Sequence, residues 1–276
     1  MTMPSGGDAG DSAPAVSDAA ASQAQRLSLI REELHRLEKA ICGGHEPFSA
    51  AAQTAAHARV PAWLRVSAGE SRWTVVVAIV AAIALQVALP DRLTMINRWV
   101  LPGLELTLLI ALVIANPGRL DNESRALRTA SLALSGVLSV ANAWSAVLLT
   151  NGLVSGKEGA DAGQLLSTGA AIWLTNIIAF GLWYWQFDRG GPASRAHARK
   201  TRLDFQFPQM QDPGQHHEWE PTFVDYLYLS FTNATAFSPT DVMPFSRWAK
   251  LTMLVQALVS LVTVALVIAR AVNILR

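Results

Sequence analysis

From Leu251 to Leu275 the chain runs for 25 residues with a single charged side chain, Arg270. A helix needs roughly 20 apolar residues to cross the hydrocarbon of a bilayer, so this run is long enough to span one. Four further apolar runs precede it, and each ends on residues that break helices. Trp73 to Leu89 ends at Pro90-Asp91, and Trp99 to Ala115 ends at Asn116-Pro117-Gly118. Thr129 to Leu149 is closed by Asn151-Gly152, and Leu165 to Phe187 by Asp188-Arg189-Gly190-Gly191-Pro192. The pattern predicts an all-α, polytopic membrane helix bundle of about five transmembrane helices. Composition agrees: 51% of residues are hydrophobic and 16% charged, against about 25% charged in soluble domains. The net charge of +1 implies no nucleic-acid partner. A lone cysteine, Cys42, excludes an intrachain disulfide and a cysteine metal cluster. The first long apolar run starts only near Trp73, so no signal peptide is expected.

Residues 1–22 are Gly, Ala, Ser and Asp with few large apolar side chains, the composition of a disordered segment. In residues 23–44, Leu27, Ile30, Leu34, Leu37 and Ile41 are spaced three, four, three, four. That spacing fits a self-associating coiled-coil seam or an amphipathic helix laid on lipid or on the bundle. Residues 45–72 read as a linker with an interfacial segment, where Trp63 and Trp73 are placed as aromatic anchors. Residues 73–187 hold four of the spans, 188–218 form a polar loop, and 219–276 close the chain.

Basic residues orient the spans, since loops on the cytoplasmic side carry the excess of Lys and Arg. With the N-terminus cytoplasmic, Arg59, Arg65, Arg72, Arg119, Arg125, Arg128, Arg189, Arg195, Arg199, Lys200, Arg202, Arg247 and Lys250 fall inside. Outside fall Arg92, Arg98, Lys157 and Arg276. The expected location is therefore a plasma membrane, multi-pass, with the N-terminus inside.

The stretch Phe223 to Phe231 is short, aromatic and carries Asp225. A polar bend follows from Thr232 to Asp241, broken by Pro239 and followed by Pro244 before the last apolar run. One reading is a short amphipathic helix on the membrane surface. The other is a re-entrant loop, because irregular backbone at membrane depth is tolerated where protein buries it or it lines a water-filled cavity. Thr232, Asn233, Thr235, Ser238, Thr240 and Asp241 then form an array of oxygen ligands, which hard cations prefer. The same residues also fit a capped turn, with Asp241 as an N-cap of the last helix.

Tyr226, Tyr228, Ser230, Phe231, Thr232 and Thr235, followed by Asp241, Pro244 and Arg247, resemble the pore-helix, filter and inner-helix unit of the two-transmembrane potassium-channel superfamily. The preceding span ending LWYWQFDRGGP would be its outer helix, so the resemblance covers Ile172 to Leu275. The ending is also similar to that of bacterial integral-membrane proteins of unknown function. The resemblance implies an ion-channel-like protein of the bacterial inner membrane, a homo-oligomer conducting monovalent cations, with no cofactor. It departs at the filter, where Phe237, Ser238, Pro239 and Thr240 replace Gly-Tyr-Gly. Proline fixes φ and non-glycine residues resist φ > 0, so the usual carbonyl cage is not expected, and any pore should be weakly selective. Potassium-channel loops dip from the outer face, whereas the basic residues put this one inside. An inverted loop, as in ionotropic glutamate receptors, or a sixth crossing by Thr222 to Ser238 would reconcile the two. A non-conducting structural or interaction protein on the same scaffold is the alternative.

Glu105, in the second run, reads either as a cation or proton site of a small proton-coupled transporter, or as an interfacial carboxylate paired with Arg98 or Arg92. Asn142, Asn176 and Gln256 read chiefly as hydrogen-bonding contacts between helices. Ser135-Gly136 and Gly169-Ala170 read as small-residue helix contacts. His216, His217, Glu218 and Glu220 lie in a Pro- and Gln-rich loop and read as solvated rather than as a metal site. The chain holds no phosphate loop, GxSxG or HExxH motif, and no enzymatic activity is expected.

Overall fold

The computed structural model describes residues 60–115, 124–156, 161–212, 214–235 and 241–275, together with Glu32 and Glu33. The segment predicted to be disordered and nearly all of the predicted coiled coil lie outside these residues, although Glu32 and Glu33 are helical. Met1–Arg59 and Val60–Arg276 are separate units, and the architecture below is that of the second.

Each apolar run is a helix. They are α1 (Trp73–Val87), α2 (Val100–Ala115), α3 (Arg125–Val154) and α4 (Ala162–Phe187). Then come the single-turn α5 (Pro192–Ala196), the two-residue strand β1 (Phe205–Gln206), α6 (Phe223–Thr235), β2 (Met243–Pro244) and α7 (Arg247–Leu275). Helices α3, α4 and α7 are long and apolar enough to cross a membrane. α1 and α2 have 15 and 16 residues. At about 1.5 Å per residue they fall short of the hydrocarbon thickness of about 30 Å. Along α7, Leu251, Leu254, Leu258 and Leu261 stand 62%, 64%, 61% and 56% exposed. An apolar row of this kind belongs against lipid or another chain.

The boundaries follow local chemistry. Asp161 caps α4 by accepting the Gly163 N–H at 2.8 Å. Asn151-Gly152 does not close α3 as the sequence suggested; the helix continues to Val154 and stops at Gly156, where φ is +71°. Asp225 holds the start of α6, its carboxylate accepting from the Thr222 N–H at 2.8 Å and from the Thr222 hydroxyl at 2.9 Å. Ser246 caps α7 by accepting the Ala249 N–H at 3.4 Å. The helix begins at Arg247, so the cap role considered for Asp241 falls to Ser246.

One apolar cluster, with Ile79, Leu138, Leu182, Tyr226 and Met253, binds α1, α3, α4, α6 and α7. A second, with Leu89, Leu93, Leu149, Leu165 and Val267, closes the far end of the bundle. Close approach at two glycines sets the packing around α4. A β-carbon on Gly181 would stand 3.3 Å from the Leu227 backbone of α6. One on Gly169 would meet Val267 of α7 at 2.8 Å. Gly136 has open space around it, while its neighbour Ser135 is buried and accepts from the Gln186 amide of α4 at 2.5 Å.

The segment 188–222 is a folded cap rather than a polar loop. Phe205, Phe207 and Met210 are buried in it, and Trp63, 6% exposed, packs edge-on against Trp219 at 6.3 Å. Trp63 is therefore a core residue and not an interfacial anchor, while Trp73 is 65% exposed. β1 and β2 pair antiparallel, with Phe205 opposite Pro244. The cap lies at the end of the bundle holding Glu70, Arg72 and Arg128, since Glu70 bonds Trp185 and Arg128 shares a cavity with Gly190.

Candidate functional site

The unit of α4, α6 and α7 is threaded by a polar seam. At its centre is Gln256 of α7, which is fully buried. Its Oε1 accepts from the Tyr184 hydroxyl at 2.6 Å and from the Asn233 amide at 2.8 Å. Its Nε2 donates to the Ser230 carbonyl at 2.9 Å and to the Ser230 Oγ at 2.6 Å. Ser230 in turn donates to the Ile177 carbonyl at 2.6 Å, and Asn233 to the Met253 carbonyl at 2.9 Å. One turn further along α7, Ser260 accepts from Asn176 at 3.0 Å. Every hydrogen-bonding position on the Gln256 amide is filled, as a buried amide requires. Asn176 and Gln256 are thus helix-joining groups, and Asn142 is buried on α3 at 5% exposure.

A second cluster sits where α6 starts. Asp188, Arg189, Arg195 and Tyr226 are 0%, 2%, 8% and 0% exposed. The Tyr226 hydroxyl donates to Asp188 Oδ2 at 2.5 Å, and the Arg195 guanidinium lies 5.0 Å from the Tyr226 ring centroid. Arg189 Nε stands 3.6 Å from Asp188 Oδ2, a Coulombic pair too long for a hydrogen bond. Arg195 also donates to the Trp185 and Asp188 carbonyls at 2.7 and 3.0 Å. Arg189 takes φ = +50°, and its N–H donates to Asp204 at 2.9 Å. Asp204 also accepts from the Trp248 indole at 2.9 Å, so one carboxylate ties the end of α4 to the start of α7. By sequence, Asp188 reads only as part of a helix breaker, Arg189 and Arg195 as loop charges, and Asp204 carries no signal, because their partners lie on other elements.

The α6 aromatics divide by face. Tyr226 points inward, whereas Tyr228 and Phe231 are 59% and 45% exposed, Phe231 edge-on to Trp173 at 5.9 Å. Thr232 donates to the Tyr228 and Leu229 carbonyls at 3.0 Å, and Thr235, the last residue of α6, to the Thr232 carbonyl at 2.8 Å. Of the described members of the oxygen-ligand array, only Asn233 joins the buried seam. Ser238 and Thr240 lie outside the described residues. Asp241 is exposed, two residues before β2.

Glu105 is fully buried, with the Gln86 amide of α1 beside it. The pairing expected with Arg98 is absent: Arg98 bonds the Val87 and Leu89 carbonyls and lies 3.3 Å from Asp91. In the Pro- and Gln-rich loop, His217 and Glu218 contact Arg65, the carboxylate at 3.1 Å. No three potential ligands converge as a metal site among the described residues.

Glu70 sits beneath the start of α6, accepting the Phe223 N–H at 2.5 Å and the Trp185 indole N–H at 2.7 Å. Burial raises its carboxyl above the ordinary value of 4.5, although these two bonds pull the other way. A raised value means that the folded state holds the proton more tightly than the unfolded one. Its stabilising contribution is full below pH 4.5 and is lost as pH rises through the raised folded-state value. Thermal unfolding followed from pH 4 upward should show this loss in the wild type and a flatter profile in Glu70→Gln. Equal slopes would remove Glu70 from the pH response.

Comparisons with family models, with curated protein sequences and with solved structures return no match.

Proposed function

We propose that this chain is an ion-channel-like subunit of an inner membrane, in which α6 and the Thr-rich stretch after it re-enter the bilayer from the basic face. One observation carries this reading. α6 starts against Glu70 and Asp188 at the cap, and by Ser230 it has reached Ile177. Ile177 lies ten residues, about 15 Å, up α4 from Phe187. Yet Met243 and Pro244 are back at the cap, paired with Gln206 and Phe205, and the Phe245 N–H donates to the Asp204 carbonyl at 2.8 Å. An excursion that goes in and returns on one side fits a re-entrant loop better than a sixth crossing or a helix lying on the surface.

In this reading α1, α2, α3, α4 and α7 make five crossings, the short α1 and α2 by local thinning of the bilayer. The N-terminus and the cap face the cytoplasm, following the basic residues of that end. The loop is then inverted relative to potassium channels, as in ionotropic glutamate receptors. One re-entrant loop per chain makes a central pore only in a homo-oligomer. Thr232, Thr235, Ser238, Thr240 and Asp241 supply oxygen ligands for monovalent cations, and Pro239 with the missing glycines makes the pore weakly selective.

A second reading, a non-conducting scaffold, is favoured by the closed seam: Ser230 and Asn233 spend their polar groups on α4 and α7. Cation flux into liposomes separates the two. The pore reading predicts flux with little preference for potassium over sodium, and a several-fold loss in Asp241→Asn with unchanged thermal stability. A ring of carboxylates concentrates cations at a pore mouth, and Asp241, being exposed, has little packing to lose. Absence of flux from a correctly folded oligomer would leave the scaffold.

A further inference from the structure

Between α1, α2, α3 and α4, at the basic end of the bundle, lies a cleft, open at its mouth, that encloses about 100 Å³. That is less than the volume of a site that encloses a whole small molecule, about 300–1,000 Å³, and suits part of a single acyl chain entering from the lipid side. Its walls are aliphatic: Val75 and Ile79 from α1, Leu109 and Leu112 from α2, Leu127 and Leu132 from α3. Its rim is cationic. Arg72 is 7% exposed and held in place by donating to the Leu112 carbonyl, one of the carbonyls that the last turn of a helix leaves without an intrahelical partner. Arg128 stands exposed on the opposite wall, one turn into α3. The Lys200 side chain ends over Gly190, where an added β-carbon would meet its Nζ at 3.3 Å. Among the described residues no carboxylate pairs with Arg72, Arg128 or Lys200.

An apolar cavity alone would stay dry or take any hydrocarbon, and a cationic rim alone would take any anion. Together, within helices that face lipid, they suit one molecule with an acyl chain and an anionic head. Basic pockets between transmembrane helices recognise anionic lipid headgroups in this way. We propose that the cavity holds one acidic phospholipid from the leaflet on the basic face. Its acyl chain lies among α1, α2 and α3, and its phosphate is held by Arg72, Arg128 and Lys200. The lipid would add a contact shared by α1, α2 and α3 to the apolar packing that already joins them to α4. This site does not depend on whether the protein conducts ions.

The test uses the full chain in a neutral detergent, with thermal unfolding as readout. Phosphatidylglycerol should raise Tm by about 5 °C at saturating lipid. Phosphatidylcholine with the same acyl chains and inorganic phosphate alone should leave it unchanged. Arg72→Ala would also free a helix-end carbonyl, so the charge is removed at exposed positions instead. Arg128→Ala with Lys200→Ala should at least halve the shift while leaving the lipid-free Tm in place. Ser131→Trp, which fills the cavity, should abolish the shift. Equal stabilisation by phosphatidylcholine would show an unselective apolar site, and stabilisation by phosphate alone a simple anion site. Either result overturns the proposal, as does an undiminished phosphatidylglycerol shift in the double variant.

Discussion

Asp188→Ala is expected to cost about 3–5 kcal/mol, the usual penalty for removing one partner of a buried ion pair. The loss leaves Arg189 buried, at 2% exposure, without its counter-charge. It also orphans the Tyr226 hydroxyl, which donates to Asp188 at 2.5 Å. For a chain of this size that corresponds to a fall in Tm of about 10 °C, at roughly 2–4 °C per kcal/mol. Tyr226→Phe is the milder control. It removes the same hydrogen bond but no charge, and about 1.5–3 kcal/mol is expected for a bond to an ionised acceptor. Thermal unfolding in detergent measures both. A loss below about 1 kcal/mol in Asp188→Ala would mean that the two arginines are sustained by their carbonyl partners, Trp63 for Arg189 and Trp185 for Arg195.

The second large effect is expected at Gln256. Replacing it by Leu keeps the volume and the helix propensity but strips partners from the Tyr184 hydroxyl, the Asn233 amide and Ser230. Each buried group left without a partner costs about 1–3 kcal/mol. Interhelical bonds within membranes average nearer 0.6 kcal/mol, because an alternative partner is often found. Here alternatives are few. Asn233 retains the Met253 carbonyl and Ser230 the Ile177 carbonyl, so Tyr184 bears most of the loss. A total of about 2–3 kcal/mol follows from one group fully orphaned and two partly so. Adding Tyr184→Phe to Gln256→Leu should then cost less than Tyr184→Phe alone, because the hydroxyl no longer has an acceptor. Strict additivity of the two changes would place them outside a common network.

These two clusters mark the limit of what was legible in the chain before its fold was known. The long helices were legible because length, apolar composition and breakers are local properties. Arg247–Leu275 contains the run Leu251 to Leu275, and Ala162–Phe187 contains Leu165 to Phe187. The short aromatic helix before the last span was legible for the same reason, although the burial of Ser230 against α4 was not. Even here local signals failed where tertiary packing overrode them. Asn151-Gly152 reads as a helix stop, yet α3 carries it through to Val154 because Leu149 and Leu153 are buried against the next helix.

What the sequence by itself determined is therefore an all-α chain with helices fit for a membrane and basic residues gathered between alternate runs. The tertiary structure decided which polar residues matter to one another. Tyr184 and Gln256 are 72 residues apart, and Trp185 and Glu70 are 115 apart. No spacing rule links such pairs, because hydrogen bonds and ion pairs depend on where helices cross and not on neighbours in the chain. The same holds for Asp188, Arg189 and Arg195, which as a sequence are a helix breaker and a patch of loop charge. Only the return of α6 onto α4 buries them together, and once water is excluded each must find a partner in the protein.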